Sequence, residues 1–396
     1  MTELAAIVVV AWIVIALRGF WLFRERDDRN LLPPPTAWPA VVAVVPARDE
    51  ADVIARTVAG LLAQDYPGSL TIRLVDDASS DGTSAVARSA ANGDPRLTIL
   101  TPPPRPAGWT GKLWAVAHGI DDACAAHAAT SNVIEPAGTP VYLWLTDADI
   151  GHAPETLRNL VTRIGGNHSG KLRVMVSTMA RLHCSSFAER ALIPAFVYFF
   201  AMLFPFRQVN ESGRVAAAAG GCVLVDRAAL AAAGGIASIR GEIIDDCALA
   251  RQLKRQGPIW LGLSTHSVSL RPYGFDDIRK MVARSAYAQL KFSPWLLAGT
   301  VIGMALLYLA PPLLTLFGRG YGNDNVKVQL CGLEAWGIMA ITMLPILRYY
   351  RVSVIWGIAL PLIAFTYATF TIDSAVQQWR GRGGMWKGRA QALSQT

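Results

Sequence analysis

Two carboxylates sit two residues apart in "YLWLTDADIG", Tyr142–Gly151, at the end of an apolar run. As the chain turns at a strand end, Asp147 and Asp149 point their oxygens into one small volume. Mg²⁺ or Mn²⁺ is commonly held by one or two carboxylates together with substrate phosphates and water. The pair therefore reads as half of a divalent-metal site that a diphosphate would complete. Two other apolar runs end in charge, at Arg48–Glu50 and at Asp76–Asp77. Turn and cap chemistry accounts well for Ser79, Ser80 and Asp81, but less well for three charged strand ends at once. No G-x-G-x-x-G follows the first apolar run and no GxxxxGK[ST] occurs, so dinucleotide and P-loop chemistry are excluded.

The elements that position these acids alternate. "AVVAVVPARDE" (Ala40–Glu50), "TIRLVDDASSDGT" (Thr71–Thr83), "RLTILTP" (Arg96–Pro102) and "VYLWLTDADI" (Val141–Ile150) read as strands. Ala-rich helical stretches, Ala51–Ala63 and the run after Ser84, lie between them. This order predicts βαβ units and a mostly parallel sheet covered on both faces. Ligands of such sheets bind beyond the carboxyl ends of the strands, where the acids are.

The chain has 396 residues, 52% hydrophobic and 17% charged, with a net charge of +8. A basic balance suits nucleic acid, anionic lipid or a phosphorylated substrate. No basic block interleaved with aromatics occurs in a soluble stretch, which argues against nucleic acid. The five cysteines are odd in number and form no CxxC pair, so neither a disulfide framework nor a zinc site is expected.

Leu4–Phe23 is apolar over about the ~20 residues that cross a bilayer, and residues 1–24 read as a retained anchor. Residues 25–39 read as an extended linker, and 40–290 as a soluble domain. Three further apolar segments, 295–317, 328–347 and 352–372, read as spans, with a break or kink at Pro311–Pro312. Basic clusters at Arg18–Arg29 and Arg271–Lys291 place the soluble domain on the cytoplasmic side of an inner membrane. Three C-terminal spans would put the tail, 373–396, outside, yet Trp379–Arg389 carries four basic residues and no acid. Either one segment does not span or the tail breaks the rule. Phe187–Phe206 is apolar but interrupted by Pro194 and Pro205, and fits a buried helix or one at the membrane interface.

Five stretches occur in one order: "VVPARDEADVIARTVAGLLAQDYP", "VDDASSDGT", "GWTGKLWA", "DAD" and "IIDDCALARQL". In this the chain resembles the membrane-bound family 2 glycosyltransferases. It most resembles the subgroup associated with hopanoid (hopene) lipid biosynthesis and, more distantly, ceramide glucosyltransferases. The resemblance implies a GT-A fold, a nucleotide-sugar donor such as a UDP-sugar, a membrane lipid as acceptor, Mn²⁺ or Mg²⁺, and inversion at the sugar carbon. By motif position it implies that Pro46, Ala47 and Glu50 line the nucleoside pocket and that Asp76 or Asp77 holds the base edge. Lys112 would approach the diphosphate, Asp147 would lie near the ribose and the metal, and Asp149 would bind the metal. Asp246 would be the general base, and Asp245 would orient it or the acceptor. One departure stands out. The family's Gln-x-x-Arg-Trp motif appears here as "KMVARSAYAQL", with Arg284 at the arginine but Met281 and Ser285 at its partners. Arg284 could still clamp phosphate, while the missing Gln and Trp argue against processive polymer synthesis.

A rival within the hydrolases reads "LWLTDADIG" as the start of a phosphate-transferring enzyme with Asp147 as nucleophile. A third reading is a non-enzymatic membrane protein that only binds nucleotide. Neither explains the acids at three strand ends.

Overall fold

A computed structural model describes residues 2–30, 32–130, 141–168, 170–318, 325–383, 385–386 and 389–390. The chain forms two compact units: Met1–Phe23, His183–Pro205 and Pro272–Gly384 make one, and Arg24–Leu182, Phe206–Arg271 and Met385–Thr396 the other.

The second unit carries the sheet. In chain order its main elements are β1 (Val41–Ala47), α1 (Ile54–Leu62), β2 (Leu70–Asp76), α2 (Thr83–Ala91), β3 (Leu97–Leu100), α3 (Gly111–Thr130), β4 (Tyr142–Thr146), β5 (Ile150–His152), α4 (Thr156–Ile164), β6 (Met175–Arg181), β7 (Cys222–Asp226), α5 (Asp245–Leu253) and β8 (Ile259–Ser269). The sheet order is β3-β2-β1-β4-β7-β6-β8-β5. Pairs β3–β2, β2–β1, β1–β4 and β6–β8 are parallel, whereas β7 runs antiparallel to both neighbours and β5 antiparallel to β8. The mostly parallel sheet expected from the sequence is therefore present, with β7 as the reversed strand in its middle.

The central strands β1 and β4 are buried at every residue, which is why they read as unbroken apolar runs rather than alternating ones. Helix α3 lies close on β1 and β2. A Cβ at Gly119 would stand 2.7 Å from Val44 Cγ1 and 2.8 Å from Val75 Cγ2, so only glycine admits this approach. Because β2, β1 and β4 are parallel neighbours, their carboxyl ends, and the acids that follow, lie side by side.

The segment after Phe23 is tied down. Leu263 N–H donates to Glu25 O at 2.9 Å and Asp27 N–H donates to Leu263 O at 3.0 Å, adding a rung beside β8. The buried Asp27 carboxylate accepts from Ser264 Oγ, Thr265 N and Thr265 Oγ1 at 2.5–2.8 Å and faces His266 Nδ1 at 3.1 Å. None of the five cysteines forms a disulfide in this structure.

The first unit is helical, with helices Thr2–Leu17, Phe187–Leu203, Phe275–Gln289, Pro294–Phe317, Asn325–Tyr350 and Leu360–Trp379. Of these, Pro294–Phe317 and Asn325–Tyr350 are long and apolar enough to cross a membrane. The helix of the first apolar segment stops at Leu17, short of a full span, where Gly19 turns to φ +66°. The third C-terminal segment, 352–372, is not one helix either. A short helix at Ile355–Ile358 gives way at Ala359 to Leu360–Trp379, with Pro361 in its first turn. Three C-terminal spans thus reduce to two candidates. The break at Pro311–Pro312 takes the form of a π turn over Ala305–Leu309 just before the prolines.

Phe187–Leu203 is largely buried in this unit. Tyr198 OH meets Thr342 Oγ1 at 2.8 Å, and Leu192 O accepts from Tyr367 OH at 2.8 Å. Its first turn is a capping box, Ser186 with Glu189. Among the described residues, every exposed large apolar side chain except Leu32, Leu172 and Val268 belongs to the first unit. Part of the basic run Trp379–Arg389 (Gly384, Lys387, Gly388), residues 391–396 of the tail and Leu31 of the linker lie outside the described residues.

Candidate active site

The loop after β1 and the loop after β2 lock each other. Asp49 N donates to Ser79 Oγ, Ser80 N to Asp49 Oδ1, Glu50 N to Thr83 Oγ1 and Ala51 N to Asp81 Oδ2, all at 2.8–3.0 Å. Asp49 and Ala78 are held at φ +49° and +53°, backbone strain that such cross-bonding can sustain. Ser79, Ser80 and Asp81 are the turn residues they were read to be. Asp76 also serves the turn, accepting from Ser79 N at 2.9 Å and from Ser84 Oγ. Asp77 is buried and faces Arg48. Arg48 carries a buried Nε–H with no hydrogen-bond partner among the described residues. Ala47 is fully buried, and its carbonyl accepts from Asp77 N at 2.9 Å.

A second group gathers at the ends of β1 and β4. Pro46, Lys112, Thr146, Asp147, Gly220, Asp245 and Asp246 line one cleft. Lys112, in the first turn of α3, reaches Asp147 Oδ1 at 2.9 Å and Asp245 Oδ2 at 3.3 Å. Burial alone would lower its ammonium pKa, but Asp147, Asp245 and Asp246 together raise it above its ordinary value. It stays charged.

Asp245 and Asp246 start α5, where the helix dipole favours anions. Asp246 Oδ1 accepts from Cys247 N at 2.7 Å and Oδ2 from Gly220 N at 3.1 Å. Burial, then the neighbouring Asp245, push the Asp246 carboxyl up to about 6, against the pull of Lys112 and these two N–H groups. A carboxylate oxygen has a second lone pair, so Asp246 can still accept a proton. A base poised near neutral pH is what acceptor activation needs.

Burial, then Asp147 and Glu50, push the Asp149 carboxyl up to about 6, with Arg271 opposing. Arg271, which the sequence reading did not single out, pairs with Glu50 and with Asp52 Oδ1 at 3.0 Å. Among the described residues no three His, Cys, Asp or Glu side chains form a metal-binding group, so an all-protein cage does not fit. A cation held by Asp149, with Asp147, and completed by substrate oxygens does fit, because it would relieve the crowding of Asp149 by two other acids. Arg284 lies exposed on Phe275–Gln289, in the first unit, and is not among the residues that the second unit brings together.

His152 was also missed. It is buried between Thr146 and Ser267, and burial pushes its imidazole down to about 3, so the ring is neutral. Its only sequence signal was a histidine three residues after the DAD.

A mostly parallel sheet with its acids at adjacent strand ends is a GT-A-like fold, the class of nucleotide-sugar transferases. Residues 39–268, more than half of the chain, match the family model described as Glycosyltransferase like family 2, and the chain belongs to that family. It is a glycosyltransferase, which removes the reading of Asp147 as a phosphoenzyme nucleophile and that of a non-enzymatic nucleotide binder. Among solved structures it is similar to the mannosyltransferase PcManGT from Pyrobaculum calidifontis in complex with GDP-Man and Mn²⁺, at 20% identity over 96% of this chain and 99% of that one, with a TM-score of 0.55. It is also similar to mannosyl-3-phosphoglycerate synthase from Rubrobacter xylanophilus (16% identity, 68% and 83% covered, TM-score 0.39) and to S. aureus TarS 1-349 in complex with UDP-GlcNAc (13% identity, 88% and 95% covered, TM-score 0.38). At these identities the likeness is one of fold. A search of the curated proteins gives no match.

Proposed function

We propose that this glycosyltransferase moves one sugar from a nucleotide-diphosphate donor to a hydroxyl of a membrane lipid, with inversion at the sugar carbon. The observation that carries the reading is the half-buried Asp246 in one cleft with Lys112 and Asp147. The acceptor oxygen attacks the anomeric carbon as its proton passes to Asp246. The bond from that carbon to the diphosphate oxygen breaks, and the electron pair leaves with the nucleoside diphosphate. Lys112 would turn from Asp147 and Asp245 toward the departing diphosphate and offset its growing charge. A Mg²⁺ or Mn²⁺ ion, held by Asp149 with Asp147, would add positive charge there when bound. Pro46, Ala47 and Glu50 would border the nucleoside, and Asp77 rather than the turn-bound Asp76 would face its base.

The lipid acceptor rests on the first unit. Among the described residues it carries nearly all of the exposed large apolar side chains, and two of its helices have the length and composition of spans. Basic residues on either side of the second unit's sequence favour the cytoplasmic face of an inner membrane. A hopanoid is the favoured acceptor on the motif resemblance, with polyprenyl phosphate and other glycolipid precursors as rivals in the class. PcManGT was solved with GDP-Man and Mn²⁺, so GDP-mannose belongs beside UDP-sugars in a donor panel.

The test is nucleotide release by detergent-solubilised protein, given that panel, Mn²⁺ or Mg²⁺ and a hopanoid extract. Release with one donor, stimulated by lipid and stopped by chelator, is expected. Metal-independent release, or release indifferent to every lipid, would overturn the corresponding part of the reading.

A further inference from the structure

We propose that Ser177, Thr146 and His152 are positioning residues that fix the Ala219–Gly221 segment and, through the Gly220 N–H, aim the Asp246 carboxylate. The inference rests on the reading of Asp246 as the base.

Ser177 lies on β6 and is fully buried. Its Oγ accepts from Ala219 N at 2.8 Å and donates to Ala219 O at 3.1 Å. That carbonyl belongs to the peptide whose N–H is Gly220, and the Gly220 N–H donates to Asp246 Oδ2 at 3.1 Å. One hydroxyl thus holds the peptide plane whose other edge meets the base. A hydrogen bond to the carbonyl also polarises the peptide and strengthens its N–H as a donor.

The far side of the segment is held by a relay. Thr146 Oγ1 donates to Gly221 O at 2.9 Å, which uses its single hydrogen. The 2.8 Å contact between Thr146 Oγ1 and His152 Nε2 must then run from a protonated Nε2 to the hydroxyl. His152 Nδ1 is left as an acceptor for Ser267 Oγ at 2.9 Å. A neutral ring fits this arrangement, and Trp144 packs against it with ring centroids 4.6 Å apart. His152 and Ser267 are also paired in register on β5 and β8, so the relay ties the sheet edge to the glycine segment. At Gly220 an added Cβ would stand 3.5 Å from both Asp246 Cβ and Lys112 Nζ, so a side chain there would meet the base and the lysine.

The groups facing Asp246 are Asp245 and the Cys247 thiol on its own helix, Lys112 from α3, and Asp147 behind Lys112. Substitution at Ser177 removes none of these groups and loosens the Ala219–Gly220 peptide, and with it the Gly220 bond that favours the carboxylate form. Substitution at Thr146 loosens the same segment from Gly221 O and also removes a 3.5 Å contact with Asp147 O. The acidic limb of the rate profile should therefore move to higher pH.

The experiment compares Ser177→Ala and Thr146→Val with the parent, as full chains in detergent, with the nucleotide sugar from the UDP-sugar and GDP-mannose panel that releases nucleotide. The expected result is a donor KM within about twofold of the parent and an acidic limb of kcat/KM displaced upward by about half a pH unit or more. The rate would then be about twofold to tenfold lower at pH 6 and closer to the parent at pH 8, the size of one hydrogen bond to a charged group. Thr146→Ser, which keeps the hydroxyl, should restore the limb. A loss that is equal at every pH, or an unmoved limb in both variants, would overturn the proposal. Should Thr146→Val fail to fold, Ser177→Ala carries the test alone, since it removes a single oxygen. Asp246→Asn separates the two levels: if it keeps turnover, the base assignment fails, and if it abolishes turnover while the limb stays fixed in the variants, only the positioning inference fails.

Discussion

Lys112 Nζ stands 2.9 Å from Asp147 Oδ1, so the first turn of α3 and the end of β4 are joined by an ion pair in the middle of the proposed site. The pair gathers residues whose positions in the chain are far apart. It also keeps a cation where a leaving diphosphate would need one.

Removing that cation should be costly twice over. Lys112→Met is expected to lower kcat by roughly 100-fold or more, the scale seen when one charge-stabilising group is lost. Lys112 also pulls the Asp246 carboxyl down, so the acidic limb should rise in the variant. A pH–rate profile checks both, and a kcat within a few-fold of the parent would place Lys112 outside the chemistry.

Asp149→Asn should abolish the response to Mn²⁺ or Mg²⁺. Its carboxyl is crowded by Asp147 and Glu50, and a bound cation is what would compensate that crowding. A metal titration of the rate, after chelation, distinguishes this from simple loss of folding. A variant with an unchanged metal response would exclude Asp149 as a ligand.

The rate should depend on pH through Asp246. Its carboxyl is raised to about 6, and the base must be ionised, so kcat/KM is expected to fall about tenfold per pH unit below that value and to level off above it. A limb near pH 4 would mean that the base is a carboxyl in an ordinary environment.

Asp27 predicts a stability effect far from the site. Breaking a buried pair by removing one partner costs about 3–5 kcal/mol, so Asp27→Ala should lower the unfolding midpoint sharply. The sign of the pH dependence follows from both partners. Asp27 is held below its usual 3.8: burial opposes this, but bonds from His266, Ser264 and Thr265 prevail. Its contribution is therefore present above that value and is lost as pH falls through the lowered one. His266 is raised above its usual 6.5, first by the bond to Asp27. Its contribution is complete below 6.5 and is lost as pH rises through the raised value. The pair should stabilise most between about 4 and 6.5, which melts at several pH values would show.

Much of this architecture was legible in local sequence. The strands β1 and β4 read as buried because every residue in them is buried, and the three acidic strand ends lie together because β2, β1 and β4 are parallel neighbours. The DAD pair pointed to a cation by spacing alone. The convergence of Lys112, Asp245 and Asp246 on Asp147 was reached only through resemblance, since no local period links an α3 residue to the start of α5. The Glu50–Arg271 pair, 221 residues apart, and the Ser177 contact with Ala219 had no sequence signal, because single hydroxyls and arginines are common everywhere. The linker was read as extended from its composition, which does not encode the backbone bonds that tie Glu25–Asp27 to β8. Segment 352–372 was read as one span on its length, apolarity and low charge, whereas the helix breaks at Ala359 and restarts at Leu360.

The most direct test of the central claim is Asp246→Asn. Amide for acid keeps the shape of the side chain and removes the base. Donor binding and turnover should be measured on the same preparation, with the nucleotide sugar that supports release by the parent. The account predicts donor affinity within a few-fold of the parent and loss of sugar transfer. Turnover near the parent rate in a variant that binds donor normally would contradict it.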